Sequence, residues 1–89
     1  PHNPSGRTLK EPDLAELQRL ANKHDLLIIS DEVYEHIVFD GQRHNSVLKY
    51  PELRNRSIAI FSFGKTFHVT GWKIAYCVGP KERMTEIRK

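Results

Sequence analysis

Lys65 is the residue of this sequence whose surroundings best suit a reactive amine. It lies in the segment SFGKTFHVTGWK at residues 62–73, which is rich in glycine and aromatic residues and directly follows the apolar run IAIF. A lysine can be a solvated cation, can assist a serine in acyl transfer, or can form a Schiff base with a carbonyl compound. The immediate neighbours of Lys65 lack the charges that usually surround a surface lysine, so other polar residues must decide between these interpretations.

The acyl-transfer hypothesis depends on two short motifs. Ser62 and Lys65 match the S-x-x-K motif of penicillin-recognising enzymes, and the SDE triplet at residues 30–32 is close to their S-D-N motif. The order differs, however, because SDE precedes SFGK, and Lys65-Thr66 is followed by Phe67 where those enzymes have glycine. The motif order therefore disfavours acyl transfer.

The Schiff-base hypothesis requires several partners for the amine. A carbonyl cofactor such as pyridoxal phosphate needs a carboxylate beside its ring nitrogen, a donor to its ring oxygen and a binding site for its phosphate. Asp31 can pair with the ring nitrogen, and Tyr34, three residues further on, can donate to the ring oxygen. Ser62 and Lys73 can bind the phosphate, Lys73 as a point charge. The sequence thus contains the set of groups that this chemistry needs.

The elements that must position these residues follow an α/β pattern. Apolar residues at helical spacing predict a helix that starts near residues 8–10, with Thr8 and Glu11 as its capping box, and ends near residues 24–25. Short unalternating apolar runs predict strands covered on both faces, as in a parallel sheet. These runs lie at residues 26–29, 58–61 and 74–78, with a further short strand expected at residues 36–39 and a last helix beginning at Pro80.

The predicted strands place the reactive residues at one edge of the sheet. In open α/β sheets, ligands bind outside the carboxyl ends of the strands. Asn3 lies in the turn-forming stretch NPSG, Asp31 follows the first strand, and residues 62–73 follow the second. We therefore expect these three segments to meet at that edge.

Composition excludes several classes of protein. The chain has 89 residues, of which 38% are hydrophobic and 28% charged, as is typical of one small globular unit. The net charge of +3 is dispersed, which predicts no nucleic-acid partner, and no apolar run is long enough to predict a membrane span. Cys77 is the single cysteine, and its apolar surroundings predict a buried thiol in a reducing, cytoplasmic setting. His36 and His68 lack the spacing of metal ligands, so no metal site is predicted.

Three motifs together carry a resemblance to a known family. NPSG at residues 3–6, SDEVYEHIVFDG at residues 30–41 and SFGKTFHVTGWK at residues 62–73 resemble class I/II aminotransferases of pyridoxal-phosphate fold type I, in the kynurenine and methionine aminotransferase branch. The resemblance runs through the whole chain. It implies that residues 1–89 are the central portion of the cofactor-binding large domain, an α/β structure with a mixed, mostly parallel sheet and flanking helices. It further implies that the chain is truncated at both ends and lacks the small domain.

The resemblance also implies roles for individual residues. Lys65 would form the internal aldimine with pyridoxal 5'-phosphate and would then act as the base in proton transfer. Asp31 would pair with the ring nitrogen, while Asn3 and Tyr34 would hydrogen-bond the ring oxygen. A carboxylate at the ring nitrogen favours the protonated ring, which absorbs negative charge well.

The remaining implied contacts concern the phosphate and the wider reaction. Ser62 would bind the phosphate, as would Lys73, which stands where much of the family has arginine. The implied activity is transamination between a large aromatic or sulfur-containing amino acid and a 2-oxo acid, by a homodimeric cytoplasmic enzyme of amino acid metabolism and biosynthesis. Two alternatives stay open, namely a cysteine-conjugate β-lyase and a noncatalytic fragment or interaction module. We expect the 89-residue piece by itself to be inactive.

Overall fold

The computed structural model describes all residues from Pro1 to Lys89 and shows four helices and three strands. Helices and strands alternate along most of the chain, with short 3₁₀ turns at Val47–Lys49 and Thr70–Trp72. The elements are α1 (Glu11–His24), β1 (Ile28–Asp31), α2 (Pro51–Arg54), β2 (Ser57–Ser62), α3 (Phe63–Thr66), β3 (Ala75–Val78) and α4 (Lys81–Ile87). The predicted α/β class is confirmed.

The three strands form a mixed sheet in the order β1-β2-β3. β1 runs parallel to β2, with Asp31 opposite Ile60, so the carboxyl ends of these two strands lie at the same edge. β3 runs antiparallel to β2, with Ala75 opposite Ser62. The antiparallel pairing brings the start of β3 back to the edge where β1 and β2 end.

Helix α1 begins at a different cap from the predicted one. The Asp13 carboxylate accepts a 2.8 Å hydrogen bond from the main-chain N–H of Lys10, which precedes the first helical residue. Thr8 was predicted to form the capping box with Glu11, but its hydroxyl instead donates to the Gln42 side chain at 3.3 Å. A local spacing rule failed here because a residue distant in sequence offered Thr8 another partner.

The other end of α1 is closed by Arg56, the residue directly before β2. Asp25 adopts the left-handed conformation that ends many helices, with φ of 50°. The Arg56 guanidinium donates to the main-chain oxygens of Ala21 and Leu26, each at 3.1 Å. The Ala21 carbonyl also accepts from the main-chain N–H groups of Asp25 and Leu26, so Arg56 adds a further donor there and ties the end of α1 to the residue before β2.

A small core lies between the helices and the first two strands. Leu14 and Ala21 of α1 are fully buried, and they pack with residues of the 3₁₀ turn, α2 and β2. The remaining members of the core cluster are Val47, Leu53, Ala59 and Phe61. This core holds β1 and β2, and with them their carboxyl ends, in place.

Several sequence predictions about coverage and local structure were wrong. β1 was expected to be covered on both faces, yet its exposure alternates and Ile29 is 68% exposed. Cys77 was expected to be buried, but it is exposed along with the whole of β3, which pairs only with β2. Residues 36–39 form no strand, because the Ile37 N–H donates to the Tyr34 carbonyl within a turn. Pro80 lies just before α4 rather than inside it.

No helix in the structure has both the length and the apolar character that crossing a bilayer requires.

Candidate active site

Lys65 is held by a single-turn helix that begins where β2 ends. The Ser62 hydroxyl oxygen accepts a 3.2 Å hydrogen bond from the main-chain N–H of Lys65, and the Thr66 hydroxyl donates to the Ser62 carbonyl at 3.0 Å. The side chain of Lys65 is exposed and makes no ion pair. Its main chain is thus fixed by β2 while its amine stays available.

Tyr34 links two segments that lie far apart in sequence. The Asn3 side-chain amide donates to the Tyr34 hydroxyl at 3.4 Å, and the Nζ atom of Lys65 lies 5.8 Å from the centre of the Tyr34 ring. The second distance is within the range of a cation–π contact. Tyr34 therefore joins the N-terminal turn to the lysine-bearing turn after β2.

Asp31 ends β1 with an exposed side chain. Its carboxylate accepts a 3.2 Å hydrogen bond from the Val33 N–H, which orients it at the start of the turn that carries Tyr34. Asp31, Asn3 and Tyr34 all line a cavity of about 730 Å³ beside β1. Three of the six predicted site residues thus share one cavity.

Ser62 and Lys73 lie near each other in the strand pairing but do not touch. Ser62 is opposite Ala75, two residues beyond Lys73, and the nearby Gly64 N–H donates to the Ile74 carbonyl at 3.4 Å. Lys73 adopts a left-handed conformation with φ of 55°, and its ammonium has no hydrogen-bond partner. Neither residue lines the cavity that contains Asp31. Their roles as phosphate ligands stay predictions.

Gly64 is a residue that sequence analysis missed. Gly64 is buried between Ser62 and Thr70. A Cβ atom there would lie 3.2 Å from the Thr70 Cα and 3.4 Å from the Ser62 hydroxyl oxygen. Glycine fits this close approach without strain, whereas a side chain would require Thr70 or the turn that holds Lys65 to shift by a few tenths of an ångström. The position of Gly64 directly before the lysine was the one available signal.

Gly71 and Trp72 lie in the same loop but make few of the contacts that shape it. Gly71 does not have a positive φ, whereas the non-glycine residues His68 and Lys73 do. Trp72 is 72% exposed, so it packs little against the rest of residues 1–89. Loop shape is set by contacts that composition does not reveal.

Glu32 is the second residue that sequence analysis missed. It is 4% exposed, and its carboxylate accepts hydrogen bonds from the Ser30 hydroxyl at 3.0 Å and the Val47 N–H at 3.1 Å, while its other oxygen lies 2.7 Å from Nε2 of His44. Burial raises the pKa of Glu32, but hydrogen bonds from His44, Ser46, Val47 and Ser30 outweigh it, and the pKa falls below its ordinary value of 4.5. A glutamate directly after Asp31 was visible in the sequence, but its partners were not.

Comparison with known proteins identifies relatives of this chain. The family model for aminotransferase class I and II matches residues 1–89. The methionine aminotransferase of Escherichia coli strain K12 is 53% identical over 89 residues, which are 100% of this chain and 23% of that protein. The kynurenine–oxoglutarate transaminase 3 of Bos taurus is 42% identical over 88 residues, which are 99% of this chain and 19% of that protein.

Solved structures agree with the sequence comparison. An Escherichia coli crystal structure, described as identifying a methionine aminotransferase function, matches 99% of this chain and 23% of its own with a TM-score of 0.94 and 52% identity. A structure from Clostridium difficile 630 that contains bound pyridoxal phosphate matches 97% of this chain and 22% of its own, with a TM-score of 0.87 and 31% identity. The chain spans about a fifth of the length of these relatives. The resemblance carried by the three motifs is confirmed, and the chain belongs to the aminotransferase class I and II family.

Proposed function

We propose that the protein catalyses pyridoxal-phosphate-dependent transamination between a large amino acid, aromatic or sulfur-containing, and a 2-oxo acid. The observation that carries this proposal is the meeting of three segments at Tyr34. The Tyr34 hydroxyl accepts a 3.4 Å hydrogen bond from the Asn3 side-chain amide, and the Tyr34 ring centre lies 5.8 Å from the Nζ atom of Lys65. The meeting occurs at the carboxyl ends of β1 and β2, where open α/β sheets bind ligands.

The side chains at this edge fit pyridoxal phosphate by their chemistry. They include an amine without an ion pair at Lys65, an exposed carboxylate at Asp31, and hydrogen-bonding groups on Asn3 and Tyr34. When bound, the cofactor supplies an electron sink for the negative charge that develops at the substrate Cα. Members of this family use that cofactor, and one structural neighbour contains it.

Lys65 has the central role in the proposed reaction. Its Nζ atom would attach the cofactor covalently and, once an amino acid substrate has displaced it, would move the proton at the substrate Cα. Both tasks need an amine whose main chain is fixed while its side chain can move. The hydrogen bond from the Lys65 N–H to Ser62 and the exposed side chain support this role.

Asp31, Asn3 and Tyr34 are proposed to hold the cofactor ring. A carboxylate from Asp31 beside the ring nitrogen would keep that nitrogen protonated by electrostatic attraction. Asn3 and Tyr34, already hydrogen-bonded to each other, would donate to the ring oxygen. Their common cavity with Asp31 supports a shared ligand.

Ser62 and Lys73 are proposed to bind the cofactor phosphate. A serine hydroxyl can donate to a phosphate oxygen, and a lysine ammonium adds a positive charge without the two-pronged geometry of arginine. The antiparallel pairing that places Ser62 opposite Ala75 supports their presence in one neighbourhood. The ammonium of Lys73 has no partner within the chain that would compete with a phosphate.

The choice of substrate and the larger assembly are also part of the proposal. The printed functions of the relatives, a methionine aminotransferase and a kynurenine–oxoglutarate transaminase, support a large amino acid. We propose that residues 1–89 are the central part of the large domain of a longer chain, which forms a homodimer in the cytoplasm. The share of the relatives that this chain spans supports a longer chain, and the lone Cys77 supports a reducing compartment. The 89-residue piece by itself is expected to be inactive.

The decisive experiment is borohydride reduction of the full-length protein with pyridoxal phosphate, followed by peptide mapping. The expected result is a pyridoxyl label on Lys65. Lys65→Ala is expected to abolish the label and transamination while leaving the fold and noncovalent cofactor binding intact. Lys81→Ala, which changes an exposed lysine at the start of α4, is the matched control and should retain both.

Two outcomes would overturn the proposal in different ways. A label on another lysine, or full activity in Lys65→Ala, would contradict the assignment of the amine. Release of pyruvate and ammonia from a cysteine conjugate without a 2-oxo acid acceptor would replace transamination with the β-lyase reaction.

A further inference from the structure

We propose that Glu32, together with His44, is a positioning residue that sets the orientation of Asp31 and Tyr34 for the cofactor. This inference rests on the proposed function and adds a residue that lines the same cavity as Asp31 and Tyr34 but has no assigned contact with the cofactor. It starts from the most buried carboxylate of the chain, which lies directly after the carboxylate proposed to pair with the cofactor ring.

The Glu32 carboxylate is buried and fully engaged. Its side chain is 3% exposed, and its two oxygens contact Ser30, Val47 and His44 at 3.0 Å, 3.1 Å and 2.7 Å. Ser30 lies in β1. His44 lies before the 3₁₀ turn at Val47–Lys49, and Val47 is the first residue of that turn. Glu32 therefore ties the end of β1 to a segment that follows it by more than ten residues in sequence.

The segment that Glu32 binds is itself anchored, so it can serve as a fixed reference. The Asn45 side chain donates to the Leu9 carbonyl at 3.2 Å, and the Lys49 ammonium donates to the His44 carbonyl at 2.6 Å. Val47 is 1% exposed and belongs to the core cluster. A carboxylate bound to this segment is consequently held against the core.

The main chain of Glu32 connects this anchor to the proposed cofactor ligands. Its N–H donates to the Ile60 carbonyl at 2.9 Å, which extends the β1–β2 pairing beyond Asp31. Its carbonyl accepts from the Glu35 N–H at 3.1 Å, which forms the turn that contains Tyr34. Asp31 and Tyr34 thus lie on either side of a residue whose side chain and main chain are both fixed.

Stability alone does not account for a buried carboxylate at this position. Removing a carboxylate from water is costly, and apolar residues of similar volume often replace buried charged groups without loss of stability. What such a group provides is a fixed geometry, because several directional hydrogen bonds must be satisfied together. Residues that orient binding groups in this way can change activity by about 10- to 100-fold when they are mutated.

The test uses Glu32→Gln in the full-length protein loaded with pyridoxal phosphate. The glutamine oxygen can still accept from Ser30 and Val47, but the amide places a donor towards His44, so the pairing is disturbed with little change in volume. We expect kcat to fall about 10- to 100-fold with little change in KM, because the substrate-binding groups stay while their alignment is lost. We also expect an altered visible circular dichroism band of the bound cofactor, and faster amide hydrogen exchange at residues 31–36 in the cofactor-free protein.

A matched control and a second variant separate this role from general destabilisation. Glu52→Gln changes a glutamate that accepts from Gln18 and Asn22 at 2.7 Å and 2.6 Å, away from the candidate site, and it should leave kcat and the dichroism band unchanged. His44→Ala should reproduce the effects of Glu32→Gln. His44→Gln, which restores a donor to Glu32, should recover part of the activity.

The outcomes distinguish this inference from the function on which it rests. Wild-type kcat and dichroism in Glu32→Gln and in His44→Ala would overturn the inference alone, and the His44 variants decide it if Glu32→Gln does not fold. A wild-type protein with no cofactor label on Lys65 would overturn the proposed function and, with it, this inference.

Discussion

The chain contains two regions that differ sharply in how they are packed. Residues 11–62 contain all but one of the 10 buried residues, and they form a core of their own. Residues 63–89 contribute only Gly64 to the buried set, and β3 is exposed at all four positions. The carboxylate and phenol proposed to hold the cofactor ring lie in the first region, whereas the lysine proposed to react and one of the two proposed phosphate ligands lie in the second.

The second region is attached to the first mainly through β2 and an aromatic stack. Phe61 of β2 and Tyr76 of β3 have ring centres 5.1 Å apart, and within the second region the Tyr76 ring centre lies 4.9 Å from that of Phe63. The position of Lys65 therefore depends on a few close contacts, whereas the position of Asp31 depends on a packed core. Variants in each region and at the junction can test this difference.

The largest expected effect in the first region comes from its core. Leu14 is fully buried in the cluster that supports β2, so Leu14→Ala should lower the free energy of unfolding of the full-length protein by about 2–5 kcal/mol. Urea denaturation followed by far-UV circular dichroism measures this change. Leu14→Met keeps the volume and should cost less than about 1.5 kcal/mol. A loss below about 0.5 kcal/mol in Leu14→Ala would mean that the first region does not depend on this core.

In the second region we expect a smaller loss of folding stability, from a substitution that lies next to Lys65. Gly64→Ala places a Cβ atom 3.2 Å from the Thr70 Cα, and this overpacking should cost about 1–3 kcal/mol. It should also weaken cofactor binding, because the turn that carries Lys65 must shift. The dissociation constant for pyridoxal phosphate, measured by fluorescence titration, reports that change.

Gly71→Ala is the matched control for Gly64→Ala. A Cβ atom at Gly71 would meet nothing within 4 Å, and the residue lacks a positive φ. Its substitution should therefore stay within about 0.5 kcal/mol of the wild type and leave cofactor binding unchanged. Equal effects of the two glycine substitutions would show that close packing at Gly64 does not position the lysine turn.

The smallest expected effect concerns pH and the buried carboxylate of Glu32 in the first region. The pKa of Glu32 is lower in the folded protein than its ordinary value of 4.5, because hydrogen bonds from His44, Ser46, Val47 and Ser30 exceed the opposing effect of burial. Its ionised form therefore contributes stability at pH values above 4.5, and this contribution is lost as the pH falls below 4.5 towards the folded-state pKa.

Denaturation of the wild type and of Glu32→Gln at several pH values isolates this contribution. The stability difference between the two proteins should be largest at neutral pH and should shrink as the pH falls below 4.5. A difference that is constant over this range would contradict a lowered pKa for Glu32.

Much of the fold was predictable because it depends on local patterns. The leucine spacing predicted α1 correctly except at its cap, and the apolar runs predicted the three strands to within two residues. Turn chemistry predicted that polar groups would follow β1 and β2. The short strand expected at residues 36–39 was wrong, since strand propensity without a neighbouring strand to pair with produced only a turn.

Coverage of the sheet was less predictable, because an apolar run does not show which surface packs against it. The same kind of run formed the well-packed β2 and the exposed β3, which includes Cys77. Periodicity describes one strand at a time, whereas burial depends on every element that packs against that strand.

The sequence by itself determined the chemical inventory of this protein. The three motifs placed an amine, a carboxylate, a phenol and two groups proposed to bind phosphate in an order that identified the family, because those properties reside in residue types and spacing. Only the tertiary structure decided that Asn3 and Lys65 meet at Tyr34, that Gly64 permits the lysine turn, and that Glu32 is bound by His44 and Val47. These contacts join residues distant in sequence or depend on separations of a few ångströms, and no local pattern encodes either.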